Sequence, residues 1–251
     1  MSSGDRLTYG IQAVRKALAA GRASRLYLQE DLGQKRLGRL ADDITRSRVP
    51  VDLCPAQQLE RLTGTTKHQG IAARVTGAAS LSDREALALV ATLAPPLILA
   101  LDGIEDPRNF GSLLRTADAA GVDLVVTGRS RNVGVTPVAS KVAAGAAEAQ
   151  PLAEVANLAR FLEQLAEAGV RIVGTDEAAP VSLFDADLAG PLALVMGAEG
   201  RGMRRLTRER CDLLVRLPMH GVVESLNVAV AAGICLYECQ RQRLARAGPV
   251  R

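Results

Sequence analysis

The sequence predicts an α/β protein in two modules, the second built on a mostly parallel sheet. Three observations carry this. Apolar strand-like runs alternate with amphipathic helical stretches along nearly the whole chain, the pattern of sheets covered by helices. In the second part the runs LILALD, VRIVGT and LALVMG are continuously apolar, as in parallel strands buried on both faces. Between the two series the charge balance changes sign. Through Gly77 there are 13 Lys and Arg against 7 Asp and Glu, which leaves 18 of the 31 basic and 20 of the 27 acidic residues for the rest.

The first module, residues 1–77, reads as a small α/β unit. YGIQAVRKALAAG carries apolar residues at helical spacing and stops at Gly21. SRLYL follows as a strand, KRLGRLADDITRSR as a helix with a basic face, VPVDLC as a strand, AQQLERLTG as a short helix and GIAARVTG as a strand. Residues 78–96 read as a linker. Within them Ser82 and Glu85 have the spacing of a capping box, and Pro95-Pro96 stops the short helix they would start.

The second module, residues 97–248, opens with the strand LILALD and the helix NFGSLLRTADAAG. DLVVTG is a strand, TPVASKVAAGAAE a small-residue helix, and LAEVAN leads to a helix over 157–168. VRIVGT and LALVMG are strands, Arg204–Arg208 a short helix, DLLVRLP a strand, and a long helix runs from about Glu224 to Arg246. That last helix is apolar nearly all round, so it belongs in a large core or at an interface.

Composition narrows the function. Aromatic residues are 2% of the chain and Trp is absent, which argues against a grip on single-stranded bases by stacking. No apolar run has the length of a membrane span, and MSSGDRLTYG lacks the apolar core of a signal peptide, so a cytoplasmic protein is expected. Cys54, Cys211, Cys235 and Cys239 form no C-x-x-C pair and read as reduced cysteines; no metal site is expected. The basic first module is either a polyanion-binding part or a solvated basic surface; charge alone does not choose.

Three polar or glycine-rich turns follow apolar strands in the second module: DPRNFGSLLR, MGAEGRGM and LPMHGVVESLNVAVA. Parallel sheets bind ligands beyond the carboxyl ends of their strands, so the three turns can meet at one pocket. Neither the dinucleotide fingerprint nor the P-loop is present. Read singly, each turn is also explained as a plain connection, with Asn109, Ser225 or Asn227 capping the helix that follows.

Together and in this order, the three segments resemble the motifs of the SpoU (TrmH-like) ribose 2′-O-methyltransferases. Asn109 and Arg115 match the first motif, MGAEGRGM with Glu199 the second, and LPMHGVVESLNVAVA with Ser225 and Asn227 the third. YGIQAV and HQGIAARV resemble the accessory substrate-binding domain of the same subgroup. Ala229 stands where many relatives have Ser.

The resemblance implies a SPOUT-type trefoil knot in the second module and S-adenosylmethionine as methyl donor, held by Gly197, Leu217, Met219 and Leu226. It implies catalytic or substrate-orienting roles for Asn109, Arg115, Glu199, Ser225 and Asn227. It also implies a homodimer, and an RNA substrate, since DNA lacks the 2′-hydroxyl. A guanosine of large-subunit rRNA is the expected target. A tRNA enzyme of the same family and a non-catalytic RNA-binding or ribosome-assembly protein are the rivals. His220 lies beside the third motif and reads as a loop residue more than as a base.

Overall fold

The computed structural model describes residues 5–32, 38–76, 80–130 and 132–247. It divides into two compact units. One holds residues 1–79 with 134–149, and the other holds 80–133 with 150–251.

The smaller unit is a four-stranded sheet with helices. Its strands are β1 (Asp5–Tyr9), β2 (Ala23–Gln29), β3 (Val51–Cys54) and β4 (Ile71–Thr76), in the order β1-β4-β2-β3. β4 runs antiparallel to both β1 and β2, and β2 and β3 are parallel. The helices are α1 (Ile11–Ala19), α2 (Arg39–Ser47) and α3 (Ala56–Thr63). Val14, Ala17 and Leu18 of α1 pack with Leu26, Leu40, Ile71, Ala73 and Val75. The opposite sheet face buries Tyr9, Tyr27 and Ala72 with Leu59 of α3. β1 is not anticipated by the sequence reading, which starts the first helix at Tyr9. Gly10 at φ 89° breaks the chain there and separates strand from helix. The basic-faced helix expected from Lys35 is described from Arg39; residues 33–37 lie outside the described residues.

Residues 134–149 cluster with this smaller unit. The single small-residue helix expected there is two short ones, α4 (Pro137–Ala143) and α5 (Ala146–Ala149). Ala144 and Gly145 between them take left-handed φ values of 53° and 97°, which no continuous helix tolerates. The expected linker over 78–96 also differs. Residues 83–90 form helix α6 of the larger unit, whose Ala86 and Val90 join the larger unit's core. Its capping box is present: Ser82 Oγ accepts from the Glu85 N–H, and the Glu85 carboxylate accepts from the Ser82 N–H at 2.9 Å.

The larger unit is a seven-stranded sheet in which every described pairing is parallel. Its strands are β5 (Leu97–Asp102), β6 (Leu124–Gly128), β7 (Leu152–Val155), β8 (Arg171–Thr175), β9 (Val181–Ser182), β10 (Leu192–Gly197) and β11 (Leu213–Arg216). They run in the order β7-β6-β5-β10-β8-β11-β9. The helices are α7 (Pro107–Ala119), α8 (Leu158–Glu167), α9 (Arg205–Arg208) and α10 (Val228–Ala247). The central strands are buried along their length, and Phe110 and Phe161 are fully buried among them. Each ring contributes about 2–3 kcal/mol by leaving water. This core puts the carboxyl ends of β5, β10, β8 and β11 side by side. α10 begins four residues later than expected, because 217–227 is an irregular loop. No described helix is long and apolar enough to cross a membrane.

Candidate active site

The first wall of the site is the turn from β5 into α7. Asp106 caps α7 by accepting from the Arg108 N–H at 2.8 Å, and Pro107 takes the first helical position. Asn109 is therefore inside the helix rather than its cap, and its amide is free to face outward. The turn itself is braced by Asn132, whose side-chain oxygen accepts from the N–H groups of Gly103 and Ile104, both at 2.8 Å.

The second wall is the loop after β10. Here Ala198 and Gly202 exchange two backbone hydrogen bonds of 3.0 and 2.8 Å. This tight return is possible only at glycine. A Cβ on Gly197 would lie 2.2 Å from the carbonyl carbon of Gly202 and 2.3 Å from the nitrogen of Met203. Gly200 turns the loop with φ 74°. The third wall is the 217–227 loop, which ends when Asn227 Oδ1 accepts from the Ala229 N–H at 3.0 Å and so caps α10.

A short hydrogen-bond chain ties the three walls. Asn227 Nδ2 donates to Asn109 Oδ1 at 2.9 Å, and Asn109 Nδ2 donates to Glu199 Oε2 at 3.2 Å. One residue from each segment takes part, across 118 and 90 positions of sequence. Asn227 thus has two jobs, since one end of its amide caps α10 and the other holds Asn109.

Two cavities flank this chain. The larger, about 420 Å³, is lined by apolar Met196, Val215, Leu217, Met219 and Leu226, with Gly197, Glu199 and Ser225 at its glycine-loop and 217–227 walls. The smaller, about 230 Å³, lies against Asn109 and the β5–α7 turn. Glu199 and Arg201 line both. Among the expected cofactor residues, Gly197, Leu217, Met219 and Leu226 all line the larger cavity. Glu199 lines both cavities, Asn109 the smaller and Ser225 the larger, while Asn227 lines neither and is tied to them through Asn109.

Arg115 stands apart from them. It sits six residues past Asn109, which turns it about 240° around the helix and carries it about 9 Å along. It is exposed and lines neither cavity. His220 is exposed too and lines neither cavity.

The sequence reading missed one polar end of the larger cavity. Thr175 ends β8, Asp176 and Glu177 follow it, and Arg208 of α9 lines the same end. Arg208 Nε donates to Asp176 Oδ2 at 2.7 Å, and the Ala178 N–H donates to Oδ1 at 2.9 Å. Burial pushes the Asp176 carboxyl up, yet the two hydrogen bonds and the Arg208 charge outweigh it and hold the group below its ordinary value. The signal was available, because TDE also follows an apolar strand. Nothing in its spacing marked β8 as a neighbour of β10. Among the described residues no group of three His, Cys, Asp or Glu side chains could hold a metal ion.

The arrangement fits a cofactor of S-adenosylmethionine's size and character. The larger cavity falls in the roughly 300–1,000 Å³ range of small-molecule sites and combines an apolar slot with a few polar groups. At Gly197 the loop backbone occupies the space a side chain would need, leaving peptide groups as the cavity wall.

Residues 96–237 match the SpoU rRNA Methylase family, and residues 7–80 match the family described as RNA 2′-O ribose methyltransferase substrate binding. The chain is 46% identical over 239 residues to the 23S rRNA (guanosine-2′-O-)-methyltransferase RlmB of Shewanella oneidensis, covering 94% of this chain and 97% of that one. It is 54% identical over 191 residues to the protein of the same name from Burkholderia sp, covering 76% and 77%. Among solved structures, the SpoU methyltransferase AviRb from Streptomyces viridochromogenes, in complex with the cofactor AdoMet, superposes with a TM-score of 0.81 at 25% identity, covering 97% of this chain and 92% of that one.

Proposed function

The chain belongs to the SpoU rRNA methylase family, and from that premise we propose that it transfers a methyl group from S-adenosylmethionine to the 2′-hydroxyl of a guanosine in 23S rRNA. The observation that carries the reading is the Asn227–Asn109–Glu199 chain, which joins the three family segments at the junction of two cavities.

Gly197, Leu217, Met219 and Leu226 hold the cofactor in the larger cavity. When bound, S-adenosylmethionine supplies an electrophilic methyl group on a sulfonium. The protein's task is then mostly positioning, with the ribose oxygen and the methyl carbon brought to near-attack distance. The smaller cavity beside Asn109 receives the ribose. Each asparagine amide can donate and accept, which suits orienting a hydroxyl. Glu199 fixes the Asn109 amide, and Ser225 orders the 217–227 loop over the cavity edge.

Arg115 enters from a second copy of the chain. α10 exposes Val230, Ile234 and Tyr237, spaced four and three residues apart on one helical face. α7 packs beside it, and a Cβ on Gly233 of α10 would lie 3.5 Å from Thr116 Cγ2. A symmetric dimer burying this stripe takes in the neighbouring Arg115. A guanidinium stays protonated in proteins, so its role is to anchor a substrate phosphate and stabilise charge developing on the oxygen. The sheet order, with β10 set between β5 and β8, supports the trefoil knot. The smaller unit binds the rRNA through its basic residues, and the work is done in the cytoplasm.

The test is a methyl-transfer assay. The purified chain, 23S rRNA transcript and methyl-labelled S-adenosylmethionine are expected to place label on the 2′-oxygen of one guanosine. Cofactor binding without transfer to rRNA, naked or in a ribosomal precursor, would refute the reading.

A further inference from the structure

We propose that Asp102 is a positioning residue for this reaction: through Arg204 it fixes the returning end of the 198–203 loop that walls the cofactor cavity. The inference rests on the function proposed above and adds a residue that lines neither cavity.

Asp102 is the last residue of β5 and is 1% exposed. A carboxylate there is costly unless it is paired. Among the described residues its side chain pairs only with Arg204, at the end of the loop. Oδ2 accepts from the Arg204 backbone N–H at 2.8 Å. Oδ1 lies 3.3 Å from Arg204 Nε, close enough for an ion pair but without hydrogen-bond geometry, so among the described residues this oxygen has no donor. The Arg204 guanidinium is held from its other side by the Ser130 carbonyl at 3.0 Å.

The register explains what the clamp does. Asp102 lies directly opposite Gly197 on β10. The loop leaves the sheet beside Asp102 at Gly197 and returns to the same carboxylate at Arg204. Between these points the Ala198–Gly202 pair closes the loop, and Glu199 at its tip reaches Asn109. A shift at Arg204 is therefore carried to Glu199 and to the Gly197 wall together. A neutral acceptor could satisfy the Arg204 N–H, but only a carboxylate can hold the guanidinium as well.

The experiment compares Asp102→Asn, Arg204→Ala and the double variant in the full-length chain. Four quantities are measured: Kd for S-adenosylhomocysteine by calorimetry, kcat, KM for an rRNA fragment, and Tm. Asp102→Asn is expected to weaken binding and lower kcat by roughly tenfold each, the scale on which sub-ångström misplacement acts, while KM for RNA stays within about threefold. Arg204→Ala likewise keeps the backbone bond and removes only the guanidinium, so it is expected to lose a similar factor in both at near-normal Tm, and the double variant to lose no more than Asp102→Asn alone. Unchanged Kd and kcat in Asp102→Asn, or a fall in Tm with both unchanged well below it, would overturn the proposal. If Asp102→Asn does not fold, unchanged values in Arg204→Ala overturn it instead. Failure of the unaltered chain to bind S-adenosylhomocysteine would sink the methyltransferase reading and is separable from these outcomes.

Discussion

The two asparagines look alike in sequence and differ in the structure. Asn109 points out of the middle of α7's first turns and caps nothing, whereas Asn227 both caps α10 and holds Asn109. Asn109→Ala is expected to lower kcat by roughly a hundredfold with Tm nearly unchanged. Asn227→Ala is expected to lose a similar factor and also about 1 kcal/mol of stability, the usual worth of a helix cap. Equal stability losses in the two variants, read by urea unfolding, would contradict this division. Asp176 gives a pH test. Its carboxyl is held below its ordinary value of 3.8, so its contribution is complete above that pH and is lost as pH falls through the lower folded value. The stability gap between the wild type and Asp176→Asn should therefore be widest near about pH 5 and close toward about pH 2. A gap that widens on acidification would show the sign to be wrong.

At the scale of elements, α10 explains an ambiguity that the sequence left open. Its inner face buries Ala232, Cys235, Leu236 and Cys239, and its outer face still shows Val230, Ile234 and Tyr237. Burial pushes the thiols of Cys235 and Cys239 up to about 12, which makes them inert packing groups. Ile234→Glu with Tyr237→Glu is expected to shift the chain from dimer to monomer in analytical ultracentrifugation, with cofactor affinity largely kept; a dimer that survives both would place the interface elsewhere. Much of this level was readable in advance. Continuous apolar runs marked the parallel strands, and Ser82 with Glu85 announced α6. The failures have physical causes. β1 was hidden because only the positive φ of Gly10 separates it from α1. The break at Ala144 and Gly145 is marked in the sequence only by a lone glycine among alanines, a residue a helix also tolerates, and the left-handed Ala144 leaves no mark. The family resemblance picked out Asn109, Glu199 and Asn227, which the structure joins by hydrogen bonds, but not Asp176, whose place at the larger cavity depends on β8 pairing with β10 across the sheet.

For the whole molecule, the charge split fits the proposed division of tasks. The basic excess belongs to the first 77 residues, and the cofactor-sized cavity belongs to the larger unit. RNA affinity should accordingly fall steeply with salt, with log K declining linearly in log salt, while S-adenosylhomocysteine affinity barely moves. A flat salt response for RNA would remove the phosphate-binding role from the basic unit. The central claim, that three distant segments assemble one site for ribose methylation, is tested most directly by mapping 2′-O-methyl groups across 23S rRNA from cells with and without this gene. The account predicts one guanosine that loses its methyl group in the deletion strain and regains it with the wild-type gene but not with Asn109→Ala. An unchanged methylation map in the deletion strain would contradict it.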